Sequence, residues 1–136
     1  MNRYEQLIEM AFAARKMSYA SYSHFQVGAA LLAEDGRVYQ GCNVENAAYT
    51  PTNCAERTAF FKAVSEGCRR FTAIAIVAAP EGKPLQKTAP CGVCRQVMME
   101  FCDPDTFRIL MAVSPEDYTV YTLRQLMPES FGPADL

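Results

Sequence analysis

The chain has 136 residues, a formal net charge of −2 and hydrophobic residues at 50% of positions. That length fits a single domain over residues 1–136, burying roughly two-thirds of the surface its unfolded form exposes, without disulfide staples. The charge balance and the lack of any Lys/Arg run argue against nucleic-acid binding by phosphate neutralisation and favour a small-molecule substrate.

Asn2 with Glu5 has the pattern of a capping box, and Tyr4, Leu7, Ile8, Ala11 and Phe12 recur at helical spacing, so a first helix is expected from Arg3 to Met17. A polar stretch, Ser18 to His24, leads into the apolar segment Phe25 to Leu32. Asp35-Gly36 is a turn signal before Arg37-Val38-Tyr39-Gln40-Gly41, which predicts a β-hairpin. After a loop rich in Asn, Pro and Thr, Asn53 and Glu56 repeat the capping-box pattern ahead of Ala59, Phe60, Ala63 and Val64, giving a second helix that stops at Gly67. Phe71 to Ala79 is an almost unbroken apolar run, as in a central strand covered by helices on both faces. Pro90 precedes a third helix carrying Val93, Val97, Met98 and Phe101. Phe107 to Val113 reads as a further buried strand, Asp117 to Tyr121 as an edge strand and Leu123 to Met127 as a short helix. The order α-β-β-α-β-α-β-β-α predicts an α/β fold, a three-layer α/β/α sandwich on a mixed sheet of about five strands.

The start Met1-Asn2-Arg3-Tyr4-Glu5 has neither the basic nor the apolar region of an export signal, and no stretch approaches the roughly 18 apolar residues of a membrane span. A cytoplasmic setting with reduced thiols is therefore expected. There, metal binding or catalysis is a better use than bridging for some of Cys42, Cys54, Cys68, Cys91, Cys94 and Cys102. Three of these open two predicted helices: Cys54 after Asn53, and Cys91 and Cys94 in Pro90-Cys91-Gly92-Val93-Cys94. Unpaired N–H groups and the positive dipole end favour thiolate there. Each helix follows a strand or its loop, so both N-termini can meet at one sheet edge and converge on one ion. Structural zinc sites are usually closed by four protein ligands; three leave a position for water and imply a reaction. Zinc brings the pKa of bound water toward about 7, and Glu56, two residues past Cys54, is placed to carry the proton.

Cys54-Ala55-Glu56 followed by PCxxC at Pro90 to Cys94 has the pattern of zinc nucleobase deaminases. More narrowly, the chain resembles the small all-cysteine-ligand cytidine deaminases, from Tyr22-Ser23-His24-Phe25-Gln26-Val27-Gly28 to Phe131-Gly132-Pro133. The densest match is Asn43 to Tyr49 and Cys54 to Ala59. The resemblance implies one Zn²⁺ per subunit on Cys54, Cys91 and Cys94, with Glu56 as the catalytic residue moving protons among water, ring N3 and departing ammonia. It further implies that Asn43 and Glu45 bind ribose hydroxyls, that the backbone at Ala55 and Cys91 meets the pyrimidine edge, and that Phe25 lines the pocket. Phe131 is expected to stack on the base from a neighbouring subunit, with Tyr49 beside the site or at a subunit contact. The implied activity is deamination of cytidine and 2′-deoxycytidine in pyrimidine salvage by a homotetramer with shared active sites. Three thiolates leave Zn²⁺ with a formal charge of minus one, so donors to sulfur are expected, and Arg57 and Gln96 are near enough in sequence to serve.

Other readings stand beside these. Glu56 fits a capping box with Asn53; Asn43 and Glu45 fit a loop-ordering role; His24, the only histidine, is either a fourth ligand or a polar loop residue. A structural zinc or redox module leaves Glu56, Asn43 and Glu45 unexplained together. A deaminase of antibiotic cytosine nucleosides shares the zinc motif, but Asn43-Val44-Glu45-Asn46 and Phe131-Gly132-Pro133 favour ordinary nucleosides. Cys42, Cys68 and Cys102 read as reduced core or surface thiols. Pro51 and the polar connection from Glu81 to Lys87 depart slightly from the family pattern.

Overall fold

In the computed structural model, which describes residues 1–136, the Asn2 side chain caps α1 (Arg3–Arg15) by accepting from the Glu5 N–H at 2.8 Å. The helix ends at Arg15 rather than Met17 because the N–H groups of Met17 and Ser18 turn back to the carbonyls of Ala14 and Arg15. The Arg15 guanidinium then crosses to the carbonyls of Gln26 and Ala79 at 2.9 and 3.1 Å, tying the helix end to two strands.

Those strands are β1 (Phe25–Ala33) and β3 (Phe71–Pro80). The hairpin partner β2 (Val38–Cys42) follows a turn in which Gly36 takes φ +94°, a conformation open to glycine. The remaining elements are α2 (Ala55–Ser65), α3 (Gly92–Phe101), β4 (Arg108–Ala112), β5 (Tyr118–Thr122) and α4 (Leu123–Leu126). A 3₁₀ turn at Pro133–Asp135 carries no sequence signal strong enough to predict it. The sheet runs β2-β1-β3-β4-β5; β1 is antiparallel to both neighbours, β3 and β4 are parallel, and β5 is the antiparallel edge.

Alternation along the central strands divides the core. Ala30 and Leu32 of β1 and Ala73, Ala75 and Val77 of β3 pack with Leu7, Ile8 and Ala11 of α1. Ala29, Leu31, Ile74 and Ile76 face the opposite layer, where Phe60 of α2 and Met98 of α3 are buried. The result is the three-layer α/β/α sandwich. Two glycines set the layer spacing. A Cβ on Gly28 would lie 2.1 Å from the Ala11 carbonyl of α1, and one on Gly41 only 2.4 Å from the Ala55 carbonyl of α2. The parallel step from β3 to β4 needs a crossover, and α3 supplies it, starting beyond the C-terminal end of β3 beside the first turn of α2.

Candidate metal centre and substrate pocket

Cys54 and Cys91 are the N-cap residues of α2 and α3, each with extended backbone, and Cys94 is buried in the first turn of α3. The Cys54 and Cys91 sulfurs lie 3.8 Å apart and those of Cys91 and Cys94 3.5 Å apart, with all three within 4.8 Å of one another. A disulfide needs about 2.05 Å. Tetrahedral bonds of about 2.3 Å to a shared zinc put sulfurs about 3.8 Å apart, so the spacing fits a common metal. An all-sulfur donor set also suits zinc. The neighbouring Cys94 thiol and the Arg57 guanidinium, whose Nη2 donates to Cys54 Sγ at 3.2 Å, hold the Cys54 thiol down at about 5. The same interaction with Cys54, together with burial, holds the Cys94 thiol well above its usual range. A cation between the sulfurs relieves that sharing of protons.

Glu56 is 4% exposed, and burial, reinforced by the Cys54 charge, pushes its carboxyl up to about 7. A carboxyl poised there both takes and gives a proton near neutrality. The capping-box alternative does not form. Cys54 is the N-cap and makes no side-chain cap bond, which puts Glu56 one position too early to reach back, while the Asn53 amide donates to Thr58 Oγ1 at 3.3 Å. Burial works against the charge of Arg57, yet bonds to the sulfurs of Cys54 and Cys94 hold its guanidinium firmly protonated.

A cavity of about 330 Å³ opens beside the cluster, with Phe25, Asn43, Glu45, Cys54, Glu56 and Cys91 on its wall. On the same wall, Asn43 Oδ1 accepts from the Val27 N–H at 3.0 Å and its Nδ2 donates to the Phe25 carbonyl at 2.7 Å. One amide hydrogen is left over. Glu45 Oε1 accepts from the N–H groups of Tyr22 and Ser23 at 3.0 and 2.9 Å, and Oε2 accepts from the Ser23 hydroxyl. One acceptor position on Oε2 remains. The loop-ordering reading of both residues thus holds as geometry and still leaves each with hydrogen-bonding capacity for a ligand.

Ala55, the first residue of α2, is buried between helix and sheet. Gln96 does not reach a sulfur: it lies on the exposed side of α3, and its Nε2 donates to the Phe131 carbonyl at 2.9 Å, which anchors the C-terminal segment. Phe131 and Tyr49 are 58% and 75% exposed, and neither ring lines this chain's own cavity. His24 lies apart from the thiol cluster, its Nδ1 3.5 Å from Glu81 on the surface. Sequence reasoning assigned no role to Val27, Ile76 or Thr52 on the cavity wall. Strand periodicity cannot separate a pocket wall from core, so Ile76 carried no distinguishing signal.

Three sulfur donors, two of them on a cavity wall beside a buried acid, have the form that catalytic rather than structural metal sites take. The sequence model described as the cytidine and deoxycytidylate deaminase zinc-binding region matches residues 1–110, and the chain belongs to that family. It is 51% identical to a cytidine deaminase of Sporosarcina psychrophila, over 97% of this chain and 93% of that protein. A cytidine deaminase of Halalkalibacterium halodurans is 48% identical, with 97% and 96% covered. Among solved structures, the cytidine deaminase from Burkholderia pseudomallei superposes with a TM-score of 0.84 at 47% identity, covering 96% of this chain and all, 100%, of that one. The enzyme from Mycobacterium tuberculosis gives 0.80 at 37% identity, covering 97% and 99%.

Proposed function

We propose that the chain hydrolyses cytidine and 2′-deoxycytidine to uridine and 2′-deoxyuridine with release of ammonia. The observation that carries this reading is one cavity wall that holds both Glu56, beside the clustered thiols, and Asn43 and Glu45, which keep a spare donor and a spare acceptor. A donor and an acceptor side by side complement a hydroxyl, which both gives and takes a hydrogen bond. A sugar supplies that hydroxyl; a free base does not.

Cys54, Cys91 and Cys94 would hold zinc, which when bound would supply water acidified toward a pKa of about 7. Glu56 accepts one proton from the attacking water and passes it to ring N3, then takes the second from the hydroxyl now on C4 and delivers it to the amine, so that ammonia leaves and the C4 carbonyl forms. Proton transfer of this kind is worth about 10² to 10⁴ in rate. Arg57 tempers the charge on Cys54. The free N–H groups of the first turn of α2, from Ala55, and the backbone at Cys91 hold the pyrimidine edge, and Phe25 walls the pocket. The reading extends to a homotetramer in which Phe131 and Tyr49, both turned outward, reach a neighbouring subunit's site. It carries with it a cytoplasmic place in pyrimidine salvage.

Loss of ultraviolet absorbance on mixing purified protein with cytidine, deoxycytidine or cytosine tests it, with Glu56→Ala and chelator-treated samples alongside. Turnover of the nucleosides alone, abolished in both controls, is expected. Zinc-replete protein inert toward both nucleosides overturns the reading.

A further inference from the structure

Ser23 joins two parts of the cavity wall that the chain separates. Its hydroxyl donates to Glu45 Oε2 across 22 residues of sequence, its backbone N–H donates to Glu45 Oε1 at 2.9 Å, and its Oγ accepts from the Phe25 N–H at 3.0 Å. The bond from Phe25 occupies an Oγ lone pair and leaves the hydroxyl hydrogen for the carboxylate. We propose that Ser23 is a positioning residue that presents Glu45 to the substrate as a single-site acceptor for a sugar hydroxyl, and so sets selectivity for the sugar.

The inference rests on the sugar-contact reading of Glu45 given above. Three donors reach the carboxylate, from Tyr22 N–H, Ser23 N–H and Ser23 Oγ, and they fix its plane. The Ser23 hydroxyl, first among these influences, also holds the carboxyl below the usual range, so it accepts and does not donate. What remains is one lone-pair direction on Oε2, with both Ser23 and Glu45 on the cavity wall. Without the hydroxyl, Oε2 has two open acceptor positions and its orientation is no longer set before the substrate arrives. The loss falls on binding, because the contact is made to the sugar and not to the group that moves protons.

Steady-state kinetics of the zinc-loaded enzyme on cytidine and 2′,3′-dideoxycytidine test the assignment, the second nucleoside lacking the hydroxyls at issue. Ser23→Ala is expected to lower kcat/KM for cytidine about tenfold, mostly through KM, and to change dideoxycytidine by less than about twofold. Ser23→Thr, which keeps the hydroxyl, restores cytidine. In a Glu45→Gln background Ser23→Ala adds no further selectivity loss, because the two residues act through one contact. A Ser23→Ala loss equal on both nucleosides, or undiminished in Glu45→Gln, overturns the inference while a sugar-selective Glu45→Gln effect leaves the Glu45 reading intact. A Glu45→Gln loss equal on both nucleosides overturns that reading as well. The melting temperature and zinc content of each variant serve throughout as the check that it folds.

Discussion

Glu56 and Arg57 are adjacent on the first turn of α2, and their surroundings favour the protonated form of both, which leaves one neutral and the other charged. Burial neutralises the acid toward a pKa of about 7, whereas the sulfurs keep the guanidinium charged. Glu56→Gln is therefore expected to lower kcat by about 10² to 10⁴ while metal content per chain is unchanged, measured by assay and elemental analysis on one preparation. Arg57→Ala is expected to reduce activity or to release zinc to a competing chelator; unchanged values for both remove its role. The thiols and Glu56 were legible in the sequence because each motif fits within a helical turn, where spacing fixes direction. Ser23 was not, since its partner lies 22 residues away and a serine in a polar loop has no periodic signature. Gln96 was assigned by nearness to Cys94, but α3 turns that side chain toward Phe131.

At the level of elements, close approach decides where the first turn of α2 sits. A methyl on Gly41 would stand 2.4 Å from the Ala55 carbonyl and 2.6 Å from the Ala59 nitrogen, all of it backbone that must move. Gly41→Ala is expected to destabilise by about 3 kcal/mol in urea titration and to weaken metal retention, because the displaced turn carries Cys54. Arg95 does a comparable job for α3: Nε donates to the Pro90 carbonyl at 2.7 Å and Nη1 to the Leu126 carbonyl at 2.5 Å, locking the entry to Cys91 onto the end of α4. Arg95→Ala should cost about 2 kcal/mol by the same measurement. Element order and the buried central strand could be read from the sequence, because hydrophobic period and turn residues act locally. Ends were less legible: the expected Phe107 to Val113 strand is Arg108–Ala112, and α1 stops where Arg15 grips two strands, contacts that only the fold creates.

Across the whole molecule, the sheet keeps α1 on one face and the thiol-bearing helices on the other, where Phe60 of α2 stacks on Phe101 of α3 and a metal on the three thiols would add a second link between the two helices. An ion bound by the native state alone stabilises it by mass action. Chelation is expected to lower the melting temperature by several degrees and to open exposed Cys91 to alkylation, with buried Cys68 and Cys102 spared, as read by calorimetry and mass spectrometry. For Cys102, burial alone raises the thiol far beyond the reactive range. The three sulfurs come from two stretches of chain, and Cys54 and Cys91 are 37 residues apart with all of β3 between them. An ion there is thus a reversible clasp on a loop. By the chain-entropy relation a permanent link over that span restricts the unfolded ensemble by about 4 kcal/mol, an upper bound for a labile one. The loop so closed contains α2 and the whole of the central strand and neither edge strand, so the restraint falls on the middle of the sheet.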